Sequence, residues 1–457
     1  MERRYEVRLE QMLAQAEVST ELMRGLLKRL ETFAEPFAKL LAQPEQRRHA
    51  AEYMTGLLSK LERKTGEAIA YLHDQERQAL QKFIGFAPWD HKPLLDALAR
   101  QVGEDLGEPD AVIVFDPSAF PKKGAKSVGV ARQWCGRLGK VENCQVGVFM
   151  AYVSRKEHAL VNTRLYLPKD WTKVRSRCKA AGVPKDVKLR TRCQLALQML
   201  DECGGRLPHG WVAGDDEMGR SSGFRRDLRT RTERYLLAVP SNTLVRDLDA
   251  PPPEYSGRGR RPMSPFLRMD RWRAALSEDS WTRIDARDGE KGPLAVEVVK
   301  RCVQARTKTG GTGPEELLFV TRERQADGTF KHDYYLSNAD PEAPLKELAR
   351  VTKAAHRIEE CFERAKGEAG LADYQVRNWT AWHHHQTLSL LAAWFLNQEA
   401  RRGKNPDPRA DDAATSAVDL GPDRGAPQHE RPLIAMPPRH SLAASQRASQ
   451  AVPPSIA

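Results

Sequence analysis

Residues 111 to 239 constrain the fold most, because short apolar runs and helical runs alternate there in a fixed order. "AVIVF" (111–115) is a continuous run rich in β-branched residues between "EPD" and "DPS", which reads as a buried strand. "NCQVGVFMAYVS" and "HALVNTRLYLP" follow, joined by a short polar link, and read as a hairpin. Then come a helix in "RTRCQLALQMLDEC", a short strand in "GWVAG", a helix in "SSGFRRDLRTRTE" and a strand in "RYLLAVP". Few topologies accommodate strand, hairpin pair, helix, strand, helix, strand in one sheet.

That order matches a mixed α/β sheet of the ribonuclease H-like kind, in which the first and fourth strands lie side by side. The fold class expected is therefore α/β with an RNase H-like core, at first over residues 101–240. Residues 1–100 read as an α-helical domain, with "ELMRGLLKRLETFAEPFAKLL" and "AAEYMTGLLSKLERKTGEAIAYL" each as one amphipathic helix. The basic "LERKTGEAIA" fits either a DNA-contacting or a solvated face. Over 241–340 the alternation gives way to β-rich pieces between Gly and Pro breaks, an insertion into the core. Helices resume over 341–403 and complete the core. Residues 404–457 are rich in Pro, Ala, Arg, Asp and Ser, the composition of a disordered tail.

The 457 residues carry a formal net charge of +12, which favours an anionic partner, nucleic acid above all. The seven cysteines form no C-x-x-C pair, which argues against a zinc ribbon and against a disulfide framework. "MERRYEVRLE" is no signal segment and no run is long enough to span a bilayer, so a cytoplasmic location is expected. Phosphate-cradling G-x-x-x-x-G-K-[ST], H-E-x-x-H and G-x-S-x-G motifs are all missing.

Three carboxylates stand where such a fold could gather them. Asp116 follows the first strand, Asp215 follows "WVAG" with Asp216 and Glu217 beside it, and Glu359 lies on the helix after the insertion. Singly, each also fits a turn, a helix cap or a solvated face. Together they would repel as bare charges, and hard divalent cations such as Mg²⁺ relieve that repulsion with oxygen ligands. Two ions about 4 Å apart would activate an attacking oxygen and stabilise the leaving oxygen of a phosphodiester. On the Glu359 helix, Ile358, Cys361, Phe362, Ala365 and Ala369 form the apolar stripe and Glu360 and Arg364 a solvated pair. Glu359 and Lys366 lie beside the stripe, two turns apart. The "HHH" of residues 383–385 reads as the polar face of a helix.

"FDPSAFPKKGAKSVGVARQWCGRLGKVENCQVGV", "GDDEMGR" and "RIEECFERAKGEAGLADYQVRNWTAWHHHQTLSLLAAWFL" resemble DDE-superfamily transposases of bacterial insertion sequences. The resemblance covers about residues 30 to 400. It is nearest to the branch whose ribonuclease H-like core carries a β-rich insertion before the final Glu. It implies Asp116, Asp215 (with Asp216 as its rival) and Glu359 as catalytic metal ligands, and two Mg²⁺ per site with Mn²⁺ able to substitute. Lys366, seventh after Glu359 in the E-x6-K signature, would meet a DNA phosphate. Transposon ends and target, as double-stranded DNA, would be the partners of a homodimer located with the bacterial nucleoid. Two positions depart from the pattern. Thr352 and Ala355 stand where relatives often carry Tyr and Arg, with Arg357 nearby as a DNA-contacting alternative, and "PSAF" lacks the Thr that commonly follows the first Asp.

Lys122, Lys123, Lys126 and Arg132, with Arg137 and Lys140, make the segment after Asp116 a phosphate-tracking edge. "GRGRRP" (257–262) is a similar candidate, and Trp272 or Trp281 a candidate for stacking on an unpaired base. Competing readings are a decayed or domesticated copy that binds DNA as a regulator, and a structure-selective nuclease on the same fold.

Overall fold

The computed structural model describes residues 25–404 apart from 260, 290 and 291. The expectations for the tail from residue 405 on and for the start of the first helix lie outside those residues. Five helices open the described chain: α1 (Leu26–Ala38), α2 (Pro44–Leu58), α3 (Gly66–Leu72), α4 (Arg77–Gly85) and α5 (Lys92–Leu106). The single helix expected over 50–72 is two. Ser59 Oγ donates to the Gly56 carbonyl at 2.7 Å and ends α2, and Thr65 caps α3 by accepting from Ala68 N. Gly56 lets α3 fold back, since a Cβ there would meet Ile69 Cγ2 at 2.4 Å. Lys64, in the break, is buried and donates to the Glu368 carbonyl at 3.0 Å, so this lysine is not on a solvated face.

Next come β1 (Val112–Pro121), β2 (Ala131–Cys135), β3 (Lys140–Val153) and β4 (His158–Leu165). They are followed by α6 (Lys169–Thr172), α7 (Arg175–Ala180), α8 (Arg192–Cys203), β5 (Trp211–Gly214), α9 (Asp216–Gly219), α10 (Ser222–Thr230) and β6 (Tyr235–Ala238). Then come β7 (Leu244–Asp247), β8 (Leu267–Arg268), α11 (Met269–Ala274), β9 (Thr282–Gly289), β10 (Gly292–Arg306), β11 (Thr312–Arg324) and β12 (Phe330–Ser337). Two long helices, α12 (Leu345–Gly367) and α13 (Trp379–Lys404), close the described chain.

The strands form one mixed sheet in the order β2-β3-β1-β5-β6-β12-β11-β10-β7-β8, with β4 also on β3 and β9 also on β10. Within it, β4, β3, β1, β5 and β6 are consecutive neighbours. β3 is antiparallel to β1 and β4, whereas β5 is parallel to β1 and β6. Val112 to Phe115 are all buried, as a central strand covered on both faces requires. β1 does not end at "DPS" as its turn-like composition suggested. It runs on through Pro121 along β3, with Asp116 opposite Phe149.

The 241–340 segment is β-rich, and its strands extend the core sheet. β12 pairs antiparallel with β6 (Leu336 with Leu237), which closes the edge that β6 would otherwise expose. A second apolar cluster holds this part together, including Val245, Met269, Trp272, Val303, Leu318 and Tyr334. Trp272 is buried there with its indole N–H on Asp247, and Trp281 is half-buried beneath the Arg322 guanidinium. Packing has taken both rings proposed for base stacking. In "GRGRRP", Arg258 and Arg261 are exposed on the loop between β7 and β8, and residue 260 lies outside the described residues.

"HHH" is a buried row, not a polar face: His383, His384 and His385 are each at most 2 % exposed. Over residues 381–392 α13 is enclosed by the N-terminal helices and β4, so even its polar side chains there face protein. His384 stacks on Trp89, and His385 lies between the Tyr53 hydroxyl and the Gly370 carbonyl. Burial pushes His384 down to about 4 and His383 and His385 to about 3, which keeps all three neutral near pH 7.

Candidate active site

β1 and β5 are paired in parallel up to Phe115 and Gly214. Asp116, still paired to β3, and Asp215, just past the end of β5, are the next residues, so they stand side by side at a strand spacing of about 4.8 Å. Asp215 also caps α9, accepting from Met218 N at 3.0 Å, so its capping and site readings hold together. Asp216 points elsewhere: it is exposed and paired with Arg220 at 2.7 Å. Between the two rivals, the geometry puts Asp215 next to Asp116.

The electrostatics agree with that placement. Burial pushes Asp116 up to about 8, with further rises from Asp215 and Glu359 and a partial offset from Lys366. Burial also raises Asp215, to about 6, against the lowering effect of the Met218 N–H and with Glu217 and Asp216 adding to the rise. Glu359 is exposed on α12, close enough for its charge to act on Asp116. The apolar stripe of that helix, Ile358, Cys361, Phe362 and Ala365, is buried as expected. Glu360 pairs with Arg357 at 3.2 Å rather than with Arg364.

Lys366 is half-buried beside the site. Its ammonium donates to Ser118 Oγ at 2.8 Å and lies over the rings of Phe362 and Phe120. Burial lowers its pKa, as does Arg137, while Asp116 raises it. Of the other basic candidates, Lys123, Lys126 and Arg132 are exposed. Lys122 turns inward, onto the Tyr374 ring at 3.5 Å and its carbonyl at 3.2 Å. Burial brings Lys122 down to about 8. Arg357 contacts Glu157, Glu360 and His158, and two residues along a helix set it about 200° from Glu359. The structure thus groups Asp116, Asp215, Glu359 and Lys366, and leaves Arg357 on another face.

Two site residues were not singled out by sequence reasoning. Glu217, noted only as a neighbour of Asp215, acts electrostatically on both aspartates and is paired with Arg192. Arg192 also donates to Gln133 Oε1 at 3.2 Å and covers the Tyr166 ring, so it ties β2 to the carboxylates. No local sequence signal marks a contact that spans 25 positions.

Whether this donor set suits a divalent cation can be judged from its chemistry. Two crowded, half-buried carboxylates with raised pKa values offer hard oxygens whose repulsion a cation relieves. Among the described residues no three His, Cys, Asp or Glu side chains already stand close enough to hold one ion. The exposed Glu359 would supply the third ligand by moving its side chain. The fit is therefore one of donor type and charge, with one ligand still to be brought in.

The raised pKa values set a pH dependence. An Asp that titrates near 4 when unfolded and higher when folded stabilises the fold below pH 4 and loses that contribution as pH rises. In chelator, the contribution of this pair should fall from about pH 4 to about pH 8, by the values for Asp215 and Asp116. Asp116→Asn should flatten the upper part of that slope in denaturant titrations run pH by pH. An unchanged slope would mean that Asp116 is not held buried among these carboxylates.

The sequence profile of the family described as DDE superfamily endonuclease matches residues 36–293, more than half of the chain. The chain belongs to that family. This DDE superfamily chain is also 33 % identical over 332 residues to a protein of Microchaete diplosiphon described as a probable transposase for insertion sequence element IS701. The match covers 71 % of this chain and 75 % of the relative. Taken together, the family match and this relative place it with the DDE transposases of insertion sequences. Asp116 and Asp215 fall inside the profile match, and Glu359 lies beyond its end. A cryo-EM structure of a piggyBac transposase synaptic complex with hairpin DNA aligns over 80 % of this DDE superfamily chain and 68 % of its own. The TM-score is 0.35 and the identity 10 %, too loose to define the fold. Among the described residues no helix is long and apolar enough to cross a membrane.

Proposed function

We propose that the chain is a DDE transposase that binds the terminal inverted repeats of its own element, cleaves the ends and joins them to target DNA. The observation that carries the reading is the placement of Asp116 and Asp215 side by side just past the parallel pairing of β1 with β5, with Glu359 on the helix packed across these strands. The strand order β4-β3-β1-β5-β6 supports an RNase H-like core, extended by the insertion. Asp116, Asp215 and Glu359 would hold Mg²⁺, with two ions in the full site. Bound there, the metal supplies Lewis-acid activation of the attacking oxygen and charge stabilisation of the leaving oxygen.

The chain's own residues do the positioning. Lys366, held by Ser118, presents a cation beside the carboxylates, where a phosphate of the DNA end would sit. Lys123, Lys126 and Arg132 follow the backbone along the outer edge, and helices of residues 1–100 add DNA contacts. A homodimer on two ends, in the nucleoid-associated cytoplasm, completes the reading.

The test is a labelled duplex bearing the element's end, incubated with Mg²⁺. Wild type should cut and join it, and Glu359→Gln should bind it but do neither. Binding without cleavage by the wild type would favour a non-catalytic DNA-binding regulator. Cleavage unaffected by Glu359→Gln would remove Glu359 from the site.

A further inference from the structure

Beyond the end of β1, β2 and the start of β3 continue as a two-stranded ribbon, closed by the short turn Gly136–Leu138. Its inner side is fixed. Cys135 and Cys144 pack with Val146, and Gln133 donates to the Cys144 carbonyl and accepts from Arg192. Its outer side is apolar at the tip: Trp134 is 58 % exposed, its cross-strand partner Val141 50 % and Leu138 in the turn 44 %. Every other tryptophan of the chain is buried or half-buried, as Trp272 is.

Cations surround this tip. Arg132 shares the outer face of β2 with Trp134, Arg137 lies in the turn, Lys140 follows it opposite Cys135, and Lys123 and Lys126 lie on the preceding loop. Glu142 is the acidic residue of the ribbon and is paired with Lys140 at 3.4 Å. The ribbon also reaches the candidate site from two directions. Arg137 acts electrostatically on Lys366, and Gln133 is joined through Arg192 to Glu217 beside Asp215.

We propose that the ribbon tip is a base-stacking wedge, in which Trp134, backed by Val141 and Leu138, takes an unpaired base of DNA while Arg132, Arg137 and Lys140 hold the flanking phosphates. This rests on the reading of the chain as a DNA-cleaving enzyme and adds a substrate contact to it. An exposed indole amid cations matches the two parts of a nucleotide, a flat apolar ring and a phosphate. A second copy of this chain fits less well, because two such tips would bring like charges together.

The probe is a labelled duplex carrying one extrahelical thymine, compared with the fully paired duplex of the same sequence. Both are titrated with the full chain in chelator, so that neither is cut. Wild type should bind the thymine-bearing duplex about tenfold more tightly, the factor that one base stacked on an aromatic ring supplies. Trp134→Ala should bind both duplexes alike, with the affinity for the paired one unchanged, and Trp134→Phe should keep part of the preference. A wild type without the preference would overturn the proposal, as would a preference that survives Trp134→Ala. So would a chain that sediments as a dimer and becomes a monomer on Trp134→Ala with DNA binding intact, which assigns the tip to self-association. Cleavage and joining are read separately with Mg²⁺. Their absence with the preference intact counts against the transposase reading alone, and their presence without the preference counts against the wedge alone.

Discussion

Asp116→Asn is expected to leave binding of end DNA nearly intact while lowering cleavage and joining by about a thousandfold or more. Asn keeps the size of the side chain and removes its charge, and Asp116 sits in the sheet with its backbone paired to Phe149. The fold therefore has little reason to change. The chemistry has: the most crowded carboxylate of the group is lost, and with it a ligand for any cation that neutralises the developing charge. A factor of a thousand corresponds to about 4 kcal/mol of transition-state stabilisation, within the range for one electrostatic partner in an enclosed site. Gel-shift binding and strand-joining assays on the same preparation separate the two effects. Joining within tenfold of wild type would rule out Asp116 as a ligand.

The second large effect is on stability. Glu316→Ala should destabilise the fold by about 3–5 kcal/mol, the cost of leaving a buried charge without its partner. Glu316 on β11 and Arg225 on α10 meet at 2.8 Å with side chains 0 % and 6 % exposed, and the Tyr235 hydroxyl donates to the same carboxylate at 2.5 Å. This is where the inserted strands grip the core: Arg225 also donates to the Gly219 carbonyl, at the end of the short helix that Asp215 caps. Asp201→Ala is the control. Its partner Arg231 is part-exposed and water takes over, so a loss below about 1 kcal/mol is expected. Denaturant unfolding measures both. Equal losses would show that the buried pair is worth no more than the exposed one, and Arg225→Met with Glu316→Leu should recover most of the stability.

What could be read from the sequence follows the range of the interactions. The strand order was legible because each strand carries its own local pattern, "AVIVF" being continuous and "GWVAG" short and bounded by Gly. Asp116 and Asp215 were legible because they follow those runs directly. Lys366 was legible from its seven-residue spacing to Glu359. The break after Leu58 was not, since it depends on Gly56 meeting Ile69, a contact that amphipathic periodicity does not report. The histidine row was misread because burial of α13 on all sides comes from α2, α4 and β4, all remote in sequence. Arg192 and Glu217 were missed for the same reason. β1 was drawn too short because Pro117 reads as a breaker, yet the strand continues along β3 through that proline.

The join of β12 to β6 makes the sheet a ruler. Five strand steps separate β5, which carries Asp215 at its end, from β7, which opens onto the arginine loop of residues 257–262. At about 4.8 Å per step that is about 24 Å, or about seven base pairs of duplex at 3.4 Å each. Because every step is a hydrogen-bonded ladder, the spacing cannot stretch as a linker would. A duplex held at both places would be gripped at about that separation, with the largely exposed loop from Leu248 to Arg258 supplying reach of its own.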